Sequence, residues 1–581
     1  MIWPLLCLGV PLLAAVALYA TRAHWLAAAI RLPPARYRVR VTRDLAVPMT
    51  DGETLLANRY SPCAAGSFPT ILIRSPWGRG GARAPLGQAA VFVARRFAER
   101  GYHVLVQETR RRPASRSQRP TNEGADGRAT VAWIAAQPWF DGNLGWWGAS
   151  YLGHIQWAAA AGAPAALKAL MPITTSARWY DFYYHDGALA LERVLSILYT
   201  TGRLATAPLR ALPGLLRRQA EAVREASLHL PLGTVDEALL GAPDPGMREV
   251  IASDDPDAPI WRENDHRAAL AQVEAPAHLI AGWFDVFLRQ QLDDYGRLVA
   301  AGRGPQLTIG PWHHTDSELS GAAMREGLDW FEAHLKGRRE GLRALPVKLL
   351  VMGANEWRSL PAWPPPSEPR RWHLSADGAL VAGATASADA VRLHFDPADP
   401  TPTIGGALLG ATAGMRDQRP AQARGDVRRF VSQALAEPIE VIGDVWLTLQ
   451  VQTSAPWADV AARLCVVGDD GVARNLCDGL CRLTAERAGR QEDGGAQLRV
   501  RLGPTAYRFQ RGERLQLQIA GGSHPLWARN LGTGEPDSTA TQTRAHDYTI
   551  RISPDTPAIL ELPVTSDQAP TAVPGAAGMA S

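Results

Sequence analysis

Lysine is nearly missing from this 581-residue chain: it occurs only at Lys168, Lys336 and Lys348, so arginine carries almost all the positive charge. Cysteine is scarce too, with five residues, too few for a disulfide scaffold. Cys7 falls in an apolar N-terminus and Cys63 stands alone, while Cys465, Cys477 and Cys481 cluster in a strand-rich stretch. Cys477 and Cys481 lack the second ligand pair and nearby histidines of a zinc site, so the cluster reads as buried, unpaired thiols and no metal is expected. Charge of one sign is not in excess: 61 Lys and Arg stand against 57 Asp and Glu. That balance excludes a strongly basic nucleic-acid platform. An apolar fraction of 46% with 20% charged residues excludes a mainly disordered chain and a multi-span membrane protein.

One long apolar run is present, at residues 2–20, and it carries no charge. At about 1.5 Å per residue it is long enough to cross the hydrocarbon core of a bilayer. No Lys or Arg precedes it, whereas Arg22, Arg31, Arg36, Arg38 and Arg40 follow. The pattern favours a membrane anchor with that flank in the cytoplasm. The alternative is a cleaved signal that leaves a secreted or periplasmic protein.

Folding is expected from about residue 34. Alternation over Tyr37–Thr42 predicts a half-buried strand, and Asp51-Gly52 predicts a hairpin turn. Short apolar strands at Thr70–Ile73, Val104–Val106 and Gly145–Trp147 alternate with helix patterns at Gln88–Arg100, Gly127–Ala136 and from Tyr151 onward. This alternation predicts a parallel sheet covered on both faces. Residues 179–264 are helical and aromatic without clear strands, as an insertion lying over the sheet would be. Strands resume at His278–Ala281 and Gln306–Ile309, and a helix follows from Met324 to Lys336. Residues 345–565 read as short alternating strands with Gly, Asp and Pro turns, an all-β sandwich. The Ala-, Pro- and Gly-rich tail at 566–581 is expected to be disordered.

The sharpest chemical signal is Gly148-Ala149-Ser150-Tyr151-Leu152-Gly153, between a strand and a helix. Small residues there allow a tight turn that lifts a serine hydroxyl above the sheet edge, beside the free N–H groups of a helix N-terminus. Leu152 stands where the commoner G-x-S-x-G pattern has its second glycine, and Gly153 comes one later. A serine hydroxyl needs a base, and the base needs an orienting acid. Both candidates follow later strands in the order acid then histidine: Asp285 after Ala281-Gly282-Trp283-Phe284, and His313 and His314 after Ile309-Gly310-Pro311-Trp312.

These stretches resemble the serine hydrolases of the cocaine esterase and glutaryl acylase group (CocE/NonD), within the X-Pro dipeptidyl-peptidase-like α/β hydrolases. The likeness extends over Asn122–Gly127, Ala136–Trp139, Gly282–Phe287, Gly310–His314 and Asp329–Gly337. It continues through Met352–Arg358, Asp417–Pro420, Asn475–Gly479 and Trp527–Gly534. The resemblance implies an α/β-hydrolase sheet in two parts, 34–178 and 265–344, around a helical cap at 179–264. A C-terminal jelly roll of the galactose-binding-like kind would follow. It implies Ser150 as nucleophile, Asp285 as acid and His314 as base, with adjacent His313 the rival. It also implies the Tyr151 backbone N–H as oxyanion donor. Trp77 stands where the family has a tyrosine whose phenol is the second donor; its indole N–H either takes that role or lines the pocket. Arg111 and Pro113 replace family glycines, which implies a remodelled loop. Phe287, Trp179 and Tyr180 are expected to form an apolar acyl pocket, and Asp181 and Asp186 to be structural. The expected reaction is cleavage of an ester, amide or short peptide through an acyl-enzyme, without cofactor. X-Pro dipeptidyl-peptidase or α-amino-acid ester hydrolase activity is the alternative within the fold, and a non-catalytic binding protein the alternative outside it.

Overall fold

The computed structural model describes residues 25–80, 87–110, 122–204, 212–383, 388–455, 457–484 and 495–565. The apolar run at 2–20, Cys7, the loop positions Arg111 and Pro113, and the C-terminal tail lie outside them. Among the described residues no helix is long and apolar enough to cross a membrane.

A ten-stranded sheet organises the first 360 residues. Its spatial order is Val39–Pro48, Thr54–Pro62, His103–Glu108, Thr70–Ser75, Leu144–Ala149, Leu167–Ile173, His278–Phe284, Gln306–His313, Val347–Val351 and Glu356–Leu360. The pairs at the two edges are antiparallel, and every pairing from His103–Glu108 to Val347–Val351 is parallel. Consecutive residues in the central strands enter different cores. Ile71, Ile73, Val104 and Val106 belong to one apolar cluster, Leu72 and Leu105 to another. Both faces are therefore dry, as a parallel sheet requires. The helices Gln88–Ala98, Glu123–Ala135, Tyr151–Ala160, Leu288–Ala300 and Ser317–Lys336 are the crossovers.

Between the Leu167–Ile173 and His278–Phe284 strands the chain runs through short helices, among them Tyr180–Tyr183, Leu191–Tyr199, Val235–Leu240 and Pro245–Ala252. The segment is helical as expected except for one small hairpin, Tyr184–His185 against Ala188–Leu189. From Glu368–Leu374 onward the described residues are β apart from one short helix, Arg419–Gln422, and are built around an eleven-stranded sheet whose longest pairing joins Ile439–Thr453 to Ala496–Phe509. Cys465 is buried there, Cys477 and Cys481 are half-buried, and none of the three forms a disulfide. One contiguous core includes Trp146 of the first sheet, Trp179 and Trp261 of the insertion, and Phe430 and Phe509 of the β-domain.

The His278–Phe284 and Gln306–His313 strands approach closely at one point. A Cβ on Gly282 would stand 2.3 Å from the Trp312 carbonyl oxygen. Gly282→Ala is expected to destabilise the protein by about 1–3 kcal/mol, the usual range for overpacking. Gly296→Ala, in the Leu288–Ala300 helix where nothing lies within 4 Å, should instead stabilise by about 0.5–1 kcal/mol through helix propensity. Urea unfolding of the two variants side by side checks both signs.

Candidate active site

Ser150 occupies the turn between the Leu144–Ala149 strand and the Tyr151–Ala160 helix, with φ 56° and ψ −126°. For a residue with a Cβ this conformation costs on the order of 1–3 kcal/mol and persists only where its surroundings enforce it. Here they do. The Ser150 N–H donates to the Ile173 carbonyl at 2.9 Å, and the Ser150 carbonyl accepts from Gly153 N at 2.9 Å and His154 N at 3.1 Å. Thr175 Oγ1 donates to the same carbonyl at 2.7 Å. A Cβ on Gly148 would lie 2.4 Å from the Leu152 carbonyl oxygen, and one on Gly153 2.7 Å from Thr175 Cγ2. The displaced second glycine is thus the residue that lets the helix pack against Thr175.

Asp285 and His314 follow adjacent parallel strands at the same, carboxyl-end edge of the sheet. Asp285 is buried, 2% exposed. Its Oδ1 accepts from the Phe287 N–H at 2.8 Å, and its Oδ2 lies 2.8 Å from His314 Nδ1. The carboxylate is therefore held by its own loop and hydrogen-bonds one nitrogen of the imidazole. The register between the two strands slips between Gly310 and His313, and His314, not His313, meets the acid. His313 Nδ1 is 3.3 Å from Thr315 Oγ1 at the surface. The Leu167–Ile173 strand lies between the serine strand and the acid strand and pairs with both. At its end Thr174 N donates to the Ile280 carbonyl at 2.7 Å. Trp77 follows the Thr70–Ser75 strand, the parallel neighbour on the other side of the serine strand. It is half-buried, and its N–H donates to Ser75 Oγ at 3.2 Å.

An aromatic wall stands against the imidazole. The Phe287 ring centroid is 5.5 Å from that of His314, 4.6 Å from Phe182 and 5.8 Å from Trp179, the last two stacked. Trp179 in turn lies 6.0 Å from the Tyr151 ring. Phe287 and Trp179 thus stack together beside the imidazole, and Phe182 joins them. Tyr180 does not. It stacks on Tyr184 at 5.2 Å, packs edge-on to Trp261, and donates its hydroxyl to the Asp254 carbonyl at 2.9 Å. Asp181 pairs with Arg178 at 3.2 Å, and Asp186 lies 3.4 Å from His185 Nε2. Behind the wall the His154 and His266 rings lie 4.9 Å apart, tilted by 42°. Burial pulls their imidazoles down to about 3 and about 4, so both are neutral at physiological pH.

One charged network, to which the sequence patterns assign no role, reaches the residue after the serine. The Tyr151 hydroxyl donates to Glu123 Oε1 at 3.0 Å. Glu123 Oε2 pairs with Arg74 Nη1 at 2.5 Å, and Arg74 Nε donates to Gln107 Oε1 at 2.7 Å. Arg74 has no exposed surface and Glu123 has 5%. Farther out, Arg110 binds Asp126 through two 2.7 Å hydrogen bonds and Asp51 at 2.8 Å. The helix bearing the backbone N–H nearest Ser150 is therefore pinned through its first side chain. Among the described residues no group of three or more His, Cys, Asp or Glu is placed to hold a metal ion.

Comparison with known proteins fits this architecture. Residues 51–316 match the model of the X-Pro dipeptidyl-peptidase (S15) family, and residues 343–556 match that of the X-Pro dipeptidyl-peptidase C-terminal non-catalytic domain. The chain is 31% identical over 541 residues to cocaine esterase of Rhodococcus sp. (strain MB1 Bresler), covering 85% of this chain and 93% of that protein. An α-amino acid ester hydrolase structure superposes with a TM-score of 0.74 at 20% identity, over 92% of this chain and 98% of that one. An aminopeptidase from a marine sediment archaeon (Thaumarchaeota archaeon) gives 0.71 at 20% identity, over the same shares. At that identity both show the fold alone.

Arg74→Met is expected to destabilise the protein by about 3–5 kcal/mol, because it strands a buried carboxylate. Tyr151→Phe removes one hydrogen bond and should cost about 1 kcal/mol. Equilibrium unfolding in urea should rank them in that order. Equal, small effects would mean that Glu123 does not depend on Arg74.

Proposed function

Because the chain belongs to the cocaine esterase group of X-Pro dipeptidyl-peptidase-like serine hydrolases, we propose that Ser150, His314 and Asp285 form its catalytic triad. Ser150 Oγ attacks the acyl carbonyl while His314 Nε2 takes the hydroxyl proton. Asp285 holds the imidazole through Nδ1, which leaves Nε2 facing the serine, and stabilises the imidazolium that forms. The proton then passes to the leaving alcohol or amine as the C–O or C–N bond breaks, leaving the acyl group on Ser150. Water activated by His314 hydrolyses that ester and returns the serine. The developing oxyanion is held by the Tyr151 backbone N–H and the Trp77 indole N–H, each worth on the order of 3 kcal/mol of barrier. The observation that carries this reading is the 2.8 Å pairing of His314 with Asp285 at the sheet edge that also holds the strained Ser150.

The substrate class follows from the wall. Phe287, Phe182 and Trp179 stack beside His314 and are buried, an apolar environment that suits an aromatic or branched aliphatic acyl ester. An X-Pro dipeptidyl-peptidase needs an anion for the substrate ammonium. The cap carboxylate Asp181 is already engaged by Arg178, which weighs toward esters.

A fluorophosphonate probe should label the wild-type protein and not Ser150→Ala, whose hydrolysis of aryl esters should fall on the order of 10⁴-fold or more. A folded wild type that takes no label would instead be a binding protein on a hydrolase scaffold. On a mixed panel, aryl and aliphatic esters should be cleaved and X-Pro anilides not; turnover of the anilides alone would reverse the substrate reading. Trp77→Phe should lower kcat by about 10²-fold with KM little changed. A change in KM alone would place Trp77 in the pocket lining.

A further inference from the structure

A small cavity of about 60 Å³ opens where three parts of the chain meet. The Trp283–Gln290 stretch around the acid supplies one wall, His185 and Arg193 of the cap a second, and the β-domain around Asp478, Gly503 and Trp527 the third. Ser150, His314 and Phe287 do not line it, so it is distinct from the aromatic wall of the proposed acyl site.

Two guanidinium groups face this cavity without a carboxylate in salt-bridge contact, although Glu192, Asp285 and Asp478 lie near enough to Arg193 to favour its charge. Arg193 is 7% exposed. Its Nη1 donates to the Phe182 carbonyl at 2.8 Å, and its Nε has no partner. Arg289 donates to His185 Nε2 at 2.6 Å, to the Leu502 carbonyl at 2.7 Å and to the Asp478 carbonyl. Among the described residues neither has a carboxylate oxygen within 4.0 Å.

The nearby acids are committed elsewhere. Asp285 binds His314 and the Phe287 N–H. Asp478 Oδ2 pairs with Arg463 at 3.2 Å. Glu192 accepts from Ser196 at 2.8 Å and Leu409 N at 3.0 Å, and Asp186 lies against His185. Burial pulls Arg193 down to about 10, which still leaves it charged at neutral pH. A buried charged group with an unfilled hydrogen-bond donor is a costly arrangement.

The other open valences on the lining are also mostly donors. Trp527 Nε1 is buried and unpartnered, and burial pushes the Cys477 thiol well above its usual range, so it keeps its proton. Gln290 Oε1 is the one unpartnered acceptor on this wall among the described residues; its amide nitrogen is taken by the Asp181 carbonyl.

We propose that this junction binds one small monovalent anion, a carboxylate or a halide, held by the Nε–H of Arg193 and the Nε1–H of Trp527. The anion accepts from the two open donors, Arg193 Nε–H and Trp527 Nε1–H, and ties the cap to the β-domain beside the loop that carries Asp285. The inference does not depend on the serine chemistry, and phosphonate labelling of the same preparation reports on that chemistry separately.

Crystals grown without halide and soaked in sodium bromide test it by anomalous scattering at the bromine edge. A peak in contact with Arg193 Nε is expected in the wild type and none in Arg193→Met. In solution, ³⁵Cl line broadening should show the same loss. Trp527→Phe keeps the ring, guards against misfolding of the first variant, and should weaken bromide about tenfold or more. Excess sodium acetate in the soak separates the two sources: displacement of the peak assigns the site to carboxylates, and persistence to halides. A wild-type crystal with bromide on its surface and none in the cavity would overturn the proposal, as would a peak undiminished in both variants.

Discussion

The hydrogen bond between Asp285 and His314 is the interaction on which the organisation of the hydrolase half turns. A carboxylate 2% exposed is costly unless it is paired or hydrogen-bonded, and it is satisfied here by a backbone N–H of its own loop and by one imidazole nitrogen. To bring that imidazole to the acid, two parallel strands must end at one edge, and the second must slip its register just before its end. The approach is close enough to demand glycine at 282. The strained backbone of Ser150 is the matching constraint two strands away, enforced by a hydrogen bond from its N–H to Ile173 at the end of the intervening strand and by one to its carbonyl from Thr175 just past it.

Around this edge the insertion and the β-domain act less as appendages than as walls. Their apolar residues join the first sheet in one contiguous core. The cap delivers Trp179 and Phe182 to Phe287, which packs against the His314 ring. The β-domain delivers carbonyl groups to Arg289, four residues past the acid. Polar groups at this three-way joint are arranged around charge more than around apolar contact, in contrast to the aromatic side of the same acid loop. Two environments thus flank one carboxylate: a dry stack that suits an apolar acyl group, and a donor-rich cavity.

Much of this was legible in the sequence, for identifiable reasons. Short apolar strands alternating with helices carry a strong periodic signal, and the expected strands exist, though several are longer. Gln306–Ile309 extends to His313 because the strand continues through Gly310 and a bulge. The helix expected from Met324 starts at Ser317, capped by Asp316, since a polar first turn carries no apolar periodicity. The cap hairpin at Tyr184–Leu189 escaped notice although Asp186-Gly187 is a turn dipeptide with both φ angles positive, 46° and 85°; two residues per strand show no alternation. The serine, acid and histidine were readable because each follows a strand. The choice of His314 over His313 came from resemblance, and the geometry of the acid gives it a physical reason. Tyr180 was misplaced because adjacent aromatics on one helical turn face different ways. The Arg74–Glu123–Tyr151 network and the Arg193 cavity were invisible because their partners lie dozens to hundreds of positions apart.

The most direct test of the central claim is a crystal structure of the protein after reaction with an aryl phosphonate. The account predicts phosphorus bonded to Ser150 Oγ, a phosphoryl oxygen about 3 Å from the Tyr151 N–H, and His314 Nε2 within hydrogen-bonding reach of the adduct while Nδ1 keeps Asp285. An adduct on another side chain, or one on Ser150 with His314 turned away from both the phosphonate and Asp285, would contradict it.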